Sequence, residues 1–146
     1  AISLDGVDDY VTVAHASMTF DAITESAWVK LNSVSGTHTV MNFADGRLRI
    51  LGDEIEFVFG GGCCFHDTSN VNLATGQWYH LAVTFNENTN SVIIYLNGVQ
   101  VLSGNETGDI LSFSSSFFIG AESGPSNFFQ GVIDDVRVYP PSLFGR

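Results

Sequence analysis

One β-rich segment near the end of the chain reads Phe129-Gln130-Gly131-Val132-Ile133-Asp134-Asp135-Val136-Arg137-Val138-Tyr139. Its β-branched and aromatic residues favour a strand, and successive side chains of a strand point to opposite faces. Strict alternation puts Asp134 on one face with three valines. Because an unpaired carboxylate on an apolar face is costly, we expect Asp134 to have a partner. Asp135, on the other face, can pair with Arg137 in solvent.

Three further segments have the same β-rich character. They are Leu4-Asp5-Gly6-Val7-Asp8-Asp9-Tyr10-Val11, Trp78-Tyr79-His80-Leu81-Ala82-Val83-Thr84-Phe85, and Tyr95-Leu96-Asn97-Gly98-Val99. In the last one, Asn97-Gly98 between apolar runs predicts a hairpin with a type I′ turn, since both residues tolerate positive φ. In this order and spacing the four segments resemble the laminin G-like, concanavalin A-like modules over nearly the whole chain. The resemblance implies an all-β, two-sheet antiparallel jelly-roll sandwich that binds glycans or proteins outside the cell.

Length and charge narrow the function further. A chain of 146 residues fits a single domain, which we place at residues 1–146. The formal net charge of −11 repels phosphate backbones and anionic lipid surfaces, so nucleic acid is not an expected partner. No apolar run approaches the ~20 residues of a membrane span, so no membrane insertion is expected. The family resemblance implies a secreted or cell-surface location.

Helical periodicity is hard to find, and short β-rich runs recur at the spacing of a β-sandwich. The pattern predicts strands at residues 2–4, 10–13, 25–31, 38–43, 47–51, 54–59, 71–73, 78–85, 91–96, 99–103, 117–121 and 131–139. Within the third of these, Ala27, Val29 and Leu31 share one face and Trp28 and Lys30 the other. Trp28 is then either buried under a second layer or an exposed platform on which a sugar ring stacks.

The acidic residues at the two ends of the chain suggest a metal site. Asp5, Asp9 and Asp134 come together if the first and last strands are neighbours, as the resembled fold implies. Clustered carboxylates repel one another, and Ca²⁺, which takes 6 to 8 oxygen ligands, would relieve that repulsion. We therefore expect a structural calcium ion held by these three side chains and by backbone carbonyls near Gly6. The alternative is that Asp5 serves an Asp-Gly turn and the others are solvated.

The segment Asp53-Glu54-Ile55-Glu56 is similar to the carboxylate-rich catalytic strand of glucanases that share the concanavalin A-like sandwich. Those enzymes place three carboxylates along one strand, and here Phe57-Val58-Phe59 follows where the third would fall. Glu54 and Glu56 share a face about 7 Å apart, a separation at which paired carboxylates can hydrolyse glycosidic bonds. The incomplete motif predicts that the chain is not an enzyme and that both acids lie on the solvated outer face of a strand. A glycoside hydrolase using Glu54 and Glu56 is an alternative.

Cys63 and Cys64 are adjacent, with Cα atoms ~3.8 Å apart, which is shorter than the usual span of a disulfide. Vicinal disulfides nevertheless occur in extracellular proteins, and Gly60-Gly61-Gly62 would supply a permissive backbone. We expect an oxidised pair. Two free thiols, or a metal held by both cysteines with His66, are the other interpretations.

The predicted function is a non-catalytic carbohydrate-binding module with a polysaccharide or glycan as ligand, and a protein-binding adhesion module is the competing interpretation. For the ligand rim we select loop residues that combine planar donors with aromatic or apolar surface. These are Arg47, His66, Asp67 and Asn127.

Overall fold

The computed structural model describes residues 1–14, 18–43, 46–59, 64–68, 71–105, 111–113 and 116–139. Its regular elements there are strands, and no helix in this part of the chain is long and apolar enough to cross a membrane. The strands are Ile2–Asp5 (β1), Val11–Ala14 (β2), Met18–Phe20 (β3), Ala22–Leu31 (β4), Thr37–Phe43 (β5), Gly46–Leu51 (β6), Glu54–Phe59 (β7), Cys64–Asp67 (β8), Trp78–Asn86 (β9), Ser91–Leu96 (β10), Val99–Asn105 (β11), Leu111–Phe113 (β12), Ser116–Ile119 (β13) and Gln130–Tyr139 (β14).

Two six-stranded antiparallel sheets form the molecule, which confirms the predicted sandwich. We call the sheet with strand order β1-β14-β4-β9-β10-β11 the first sheet. The second sheet has the order β2-β13-β5-β6-β7-β8, and β12 and β3 form a separate pair. The first and last strands are neighbours, as the resemblance implied, with Ile2 opposite Ile133 and Asp5 opposite Gln130.

The core lies between the two sheets and is made of inward side chains from both. The rings of Phe57 on β7 and Phe85 on β9 are 6.5 Å apart and connect the layers. In β4 the residues at odd positions point inward, so Ala27, Val29 and Leu31 are fully buried. This is the alternation expected from the sequence, and it sends the even-numbered side chains to the outer face of the first sheet.

The predicted hairpin and most of the predicted strands are confirmed. Asn97 and Gly98 both have positive φ, 51° and 79°, between β10 and β11. The predicted strand at residues 71–73 is wrong: Leu73 is buried, but Asn72 has a φ of 54°, which interrupts an extended backbone. The short strands β3, β8 and β12 are not predicted by the sequence pattern; β8 pairs at a sheet edge, and β3 and β12 pair only with each other.

A β-bulge in β14 overturns the expected alternation of the last strand. Asp134 pairs with Trp28, but the next pair joins Arg137 to Ser26, so β14 holds one extra residue there. Asp135 absorbs it with a φ of 47°. The side-chain pattern is inverted beyond this point, and Val136 and Val138 pack against the core. Asp134 therefore does not share the apolar face with these valines, and it is exposed.

Glu25 is the unusual residue of the core. Its side chain points inward from β4, is fully buried, and has neither oxygen hydrogen-bonded to any group that the structure describes. Desolvation raises the pKa of Glu25 well above its ordinary value. The carboxyl therefore stays protonated at pH values where surface carboxyls are ionised.

We expect Glu25 to make the protein less stable as pH rises. The folded state holds a proton that the unfolded state has released, so the free energy of unfolding falls above the ordinary carboxyl range, by up to about 1.4 kcal/mol per pH unit. Glu25→Gln should remove this dependence and be more stable than the wild type in mildly alkaline buffer. Urea unfolding across a pH series measures both effects. Glu87→Gln, in the surface turn after β9, is the control, and parallel pH curves for wild type and Glu25→Gln would contradict the prediction.

Candidate functional site

Two exposed indoles lie side by side on the outer face of the first sheet. Trp28 on β4 is opposite His80 on β9, and Lys30 is opposite Trp78, so the two tryptophans are diagonal neighbours. Diagonal positions on adjacent strands are about 7 Å apart, within reach of large rings. Trp28 is 40% exposed and Trp78 is 41% exposed. Trp28 is therefore exposed and not buried under a second layer.

Two polar side chains border the indoles. The His80 ring packs edge-on against Trp28, with ring centres 5.2 Å apart. Asn97 is fixed by two hydrogen bonds to the backbone of His80. Its side-chain oxygen accepts from the His80 backbone N–H at 2.8 Å, and its backbone N–H donates to the His80 carbonyl at 2.8 Å. With that oxygen engaged, the side-chain nitrogen of Asn97 is the atom left to donate to a ligand. We call Trp28, Trp78, His80 and Asn97 the tryptophan shelf.

The tryptophan shelf has two adjoining hollows that share both indoles. One, of about 570 Å³, extends to His80 and Asn97. The other, of about 360 Å³, extends to Asp134. Both hollows are shallow and open to solvent, and each combines apolar ring surface with a few polar groups.

Two charged groups lie at the tryptophan shelf. The Lys30 ammonium sits 5.2 Å from the centre of the Trp78 ring, in a cation–π contact. Asp134 is 3.1 Å from the amino group of Ala1, and hydrogen bonds from that group and from the Asp135 amide lower the pKa of Asp134.

The outer face of the second sheet carries a different cluster, which is polar and largely buried. Arg49 is bonded to Glu56 on the neighbouring strand β7 and to Glu122, whose Oε1 lies 2.8 Å from the Arg49 Nη1. The three side chains are only 15%, 5% and 12% exposed. Burial disfavours the charged form of Arg49, but hydrogen bonds and attraction from the two carboxylates outweigh it and raise the pKa of Arg49.

Arg47 and Asn127, two of the four predicted rim residues, meet at this cluster. Asn127 donates to Glu122 Oε1 at 3.0 Å, and the Arg47 Nε lies 3.9 Å from Glu122 Oε2. His66 and Asp67 are not in a loop as predicted but in the edge strand β8, where Asp67 is opposite Glu56. Their side chains lie outside the part of the chain that the structure describes.

Glu54 and Glu56, the acids of the hydrolase alternative, differ in environment. Glu56 is 4% exposed and bonded to Arg49, whereas Glu54 is half-buried at the start of β7. The expectation that both lie on a solvated face is therefore wrong for Glu56. A buried carboxylate tied to arginine is stabilised as the anion, which does not suit a general acid.

The structure brings together Asp5, Asp8 and Asp9 but not Asp134. Ligand oxygens of the first three lie within 4.8 Å of one another, and all three residues are exposed. Asp134 is four residues along β14 from Gln130, the partner of Asp5, or roughly 13 Å at the rise of a strand. The expected ligand set of Asp5, Asp9 and Asp134 is thus divided by the strand register, and a shell around Asp5 and Asp9 would take Asp8 instead.

Backbone amides already offset part of the repulsion in this group. Asp5 Oδ1 accepts from the Val7 amide at 2.8 Å, and Asp9 Oδ2 accepts from the Asp5 amide at 3.2 Å. The bond from Val7 is the main reason that the pKa of Asp5 is lowered. A turn stabilised by the Asp5 side chain is therefore compatible with a calcium ion bound by Asp5, Asp8 and Asp9.

The vicinal disulfide stays a prediction. Cys63 lies outside the described residues, and Cys64 is the first residue of β8.

Sequence reasoning missed five residues of these two clusters. They are Trp78, His80, Asn97, Arg49 and Glu122. The alternation of Trp78 with His80 on one face is visible in the sequence, but their position next to Trp28 depends on the pairing of β4 with β9. The 46 residues from 32 to 77 separate these two strands, and β5 to β8 between them belong to the other sheet.

Comparisons with known proteins agree with this architecture. The family model of the concanavalin A-like lectin/glucanases superfamily matches residues 5–144. No curated protein matches the sequence.

Three solved structures show the same fold. A proposed carbohydrate-binding protein from Bacteroides ovatus is 21% identical, with a TM-score of 0.71 over 90% of this chain and 43% of that one. A pentraxin from Limulus polyphemus is 14% identical, with a TM-score of 0.74 over 93% and 73%. Domain 4 of an extracellular arabinanase from Geobacillus stearothermophilus, in complex with arabinotriose, is 22% identical, with a TM-score of 0.66 over 88% and 66%. The chain thus spans less than half of the Bacteroides protein.

Calcium binding gives a prediction that distinguishes a ligand set of Asp5, Asp8 and Asp9 from the expected set of Asp5, Asp9 and Asp134. A ligand bound only by the folded state stabilises it by about 2.7 kcal/mol at a hundredfold excess over Kd. Millimolar calcium should raise the melting temperature of metal-free protein, and Asp9→Asn should abolish the rise. Asp134→Asn is the matched control and should leave it unchanged. Loss of the response in both Asp9→Asn and Asp134→Asn would restore the ligand set expected from the sequence, and no response in the wild type would leave the acids as solvated surface.

Proposed function

We propose that this chain, which belongs to the concanavalin A-like lectin/glucanases superfamily, is a non-catalytic carbohydrate-binding module of an extracellular protein. The observation that carries the proposal is the pair of exposed indoles on the tryptophan shelf. A sugar ring presents its C–H bonds on a flat, weakly polar face and its hydroxyls around the edge. An indole is complementary to the flat face of the sugar, since it is a large rigid apolar surface.

Polar groups at the border of the tryptophan shelf supply hydrogen-bond partners for the sugar hydroxyls. Asn97 is held by two bonds to the backbone of His80, so its free nitrogen is already in place before a ligand arrives. Such preorganisation reduces the entropy lost on binding. His80 and Asp134 offer further donors and acceptors at the two hollows.

The solved structures support the carbohydrate class and the location. The arabinanase domain is bound to arabinotriose and belongs to an extracellular enzyme, and the Bacteroides protein is itself proposed to bind carbohydrate. A protein-binding adhesion module is the competing proposal. A broad and purely apolar patch would favour it, whereas here the two indoles are bordered by the polar side chains of His80, Asn97 and Asp134.

Binding can be measured directly because the chain contains only two tryptophans, and both belong to the shelf. All of the intrinsic tryptophan fluorescence therefore reports on this surface. A ligand that stacks there should change the emission, and Trp28→Ala and Trp78→Ala should each weaken binding by on the order of tenfold, or about 1.4 kcal/mol. Affinity electrophoresis in polysaccharide gels measures the variants without relying on fluorescence.

The control is Tyr10→Ala, which removes an equally exposed aromatic ring on the other side of the sandwich. Tyr10 is 40% exposed and packs against Phe118 and Phe128. It should leave glycan affinity within about twofold. If Tyr10→Ala abolished binding and the tryptophan variants did not, the site would lie elsewhere.

The non-catalytic part of the proposal has a separate test. Glu56 is buried and bonded to Arg49, so we expect no release of reducing ends from β-glucans, galactans or arabinans. Turnover by the wild type that is lost in both Glu54→Gln and Glu56→Gln would establish the hydrolase alternative. Circular dichroism of each variant checks that Glu56→Gln has not simply unfolded the second sheet.

A further inference from the structure

The tryptophan shelf extends across the strands of the first sheet and not along one of them. The tryptophan shelf and the smaller hollow beside it take residues from four neighbouring elements: Asp134 from β14, Trp28 from β4, Trp78 and His80 from β9, and Asn97 from the turn after β10. Neighbouring strands are about 4.8 Å apart, so three intervals give roughly 14 Å. This span is wider than one sugar ring, and the two hollows continue on both sides of the indole pair.

The charges at the shelf disfavour an acidic ligand. A carboxylated or sulfated sugar needs cationic donors to replace the water that it loses on binding. Lys30, the one lysine of the chain, is placed over the Trp78 ring. At the smaller hollow the Ala1 amino group is already paired with Asp134 at 3.1 Å. The net charge of −11 repels any anionic polymer before contact.

The other cations of the described chain are engaged elsewhere. Arg137 is bonded to Asp135 at 2.8 Å, and Arg47 and Arg49 lie with Glu122 on the second sheet. No group of free cations therefore faces either hollow in the described part of the chain.

From this width and this charge we infer that the tryptophan shelf binds several consecutive sugars of a neutral polysaccharide, and not a single sugar or an acidic glycan. The inference rests on the proposed function, because it specifies the ligand of the same site. Stacking supplies the affinity, and Asn97 and His80 select among hydroxyl patterns. Salt should have little effect on such a complex, since no ion pair joins protein and ligand.

The test is a fluorescence titration with two sets of glycans at about 0.01 M and about 1 M NaCl, over which the Debye length falls from about 30 Å to about 3 Å. The neutral set is arabinan, xylan, galactan and β-glucan with their oligosaccharides, and the acidic set is polygalacturonate, heparin and sialyllactose. We expect at least one neutral polysaccharide to bind with affinity that changes less than twofold with salt. Its oligosaccharides should bind more tightly with each added sugar up to about three or four, as the width of the shelf implies. Acidic glycans should bind at least tenfold more weakly at low salt.

Lys30→Met provides the matched variant, because it keeps an apolar chain beside Trp78 and removes the charge. It should leave the affinity for the neutral ligand within about threefold and its salt response flat. Stronger binding of an acidic glycan, lost in Trp28→Ala, in Lys30→Met and at high salt, would overturn the inference while upholding the proposed function. A monosaccharide that binds as tightly as its polymer would also overturn it. Absence of binding by every glycan in both sets would instead overturn the proposed function itself.

Discussion

The alternation of side chains along β4 is the constraint on which the rest of the structure depends. The same ten residues contribute Ala27, Val29 and Leu31 to the core and place Trp28 on the outer face. A shift of one residue in register would exchange these faces and expose the core residues. The position of the shelf is therefore as strongly determined as the core, because one cannot change without the other.

Close backbone approach holds this register from the β14 side. Gly131 has a φ of 151°, and a Cβ atom at this position would lie 2.1 Å from the Lys30 carbonyl oxygen. Only glycine allows β14 to pack there against β4. Three residues further on, the bulge at Asp134 and Asp135 changes the alternation, so that Val136 and Val138 point toward the core. The close approach fixes the strand, and the bulge sends Asp134 to the shelf and not to the core.

Much of the fold could be predicted from the sequence because it depends on local patterns. The hairpin at Asn97-Gly98 follows from residues that tolerate positive φ, and the outward position of Trp28 follows from alternation. What could not be predicted depends on events between distant segments. The bulge in β14 leaves no signal in a run of alternating residues, so Asp134 was assigned to the wrong face. Glu25 likewise continues the inward series of β4, although a carboxyl is not expected there.

The candidate site could be predicted only in part for the same reason, because contacts between distant segments cannot be read from local patterns. Alternation along β4 points to Trp28, and residue type points to Arg47 and Asn127. Their neighbours are set by strand pairing: Trp78 reaches Trp28 because β9 lies beside β4, and Arg47 reaches Asn127 through Glu122.

The two outer faces of the sandwich differ in a way that bears on function. On the second sheet, Arg49 is enclosed by Glu56 and Glu122, and a ligand of Arg49 would have to break bonds that are already made. On the first sheet, apolar rings remain exposed and the Asn97 nitrogen is held ready, so a ligand would replace only water. Removing exposed apolar surface from water is favourable, whereas exchanging one buried ion pair for another yields little net free energy. For this reason the tryptophan shelf, and not the more highly charged cluster, is the surface at which binding is physically favoured.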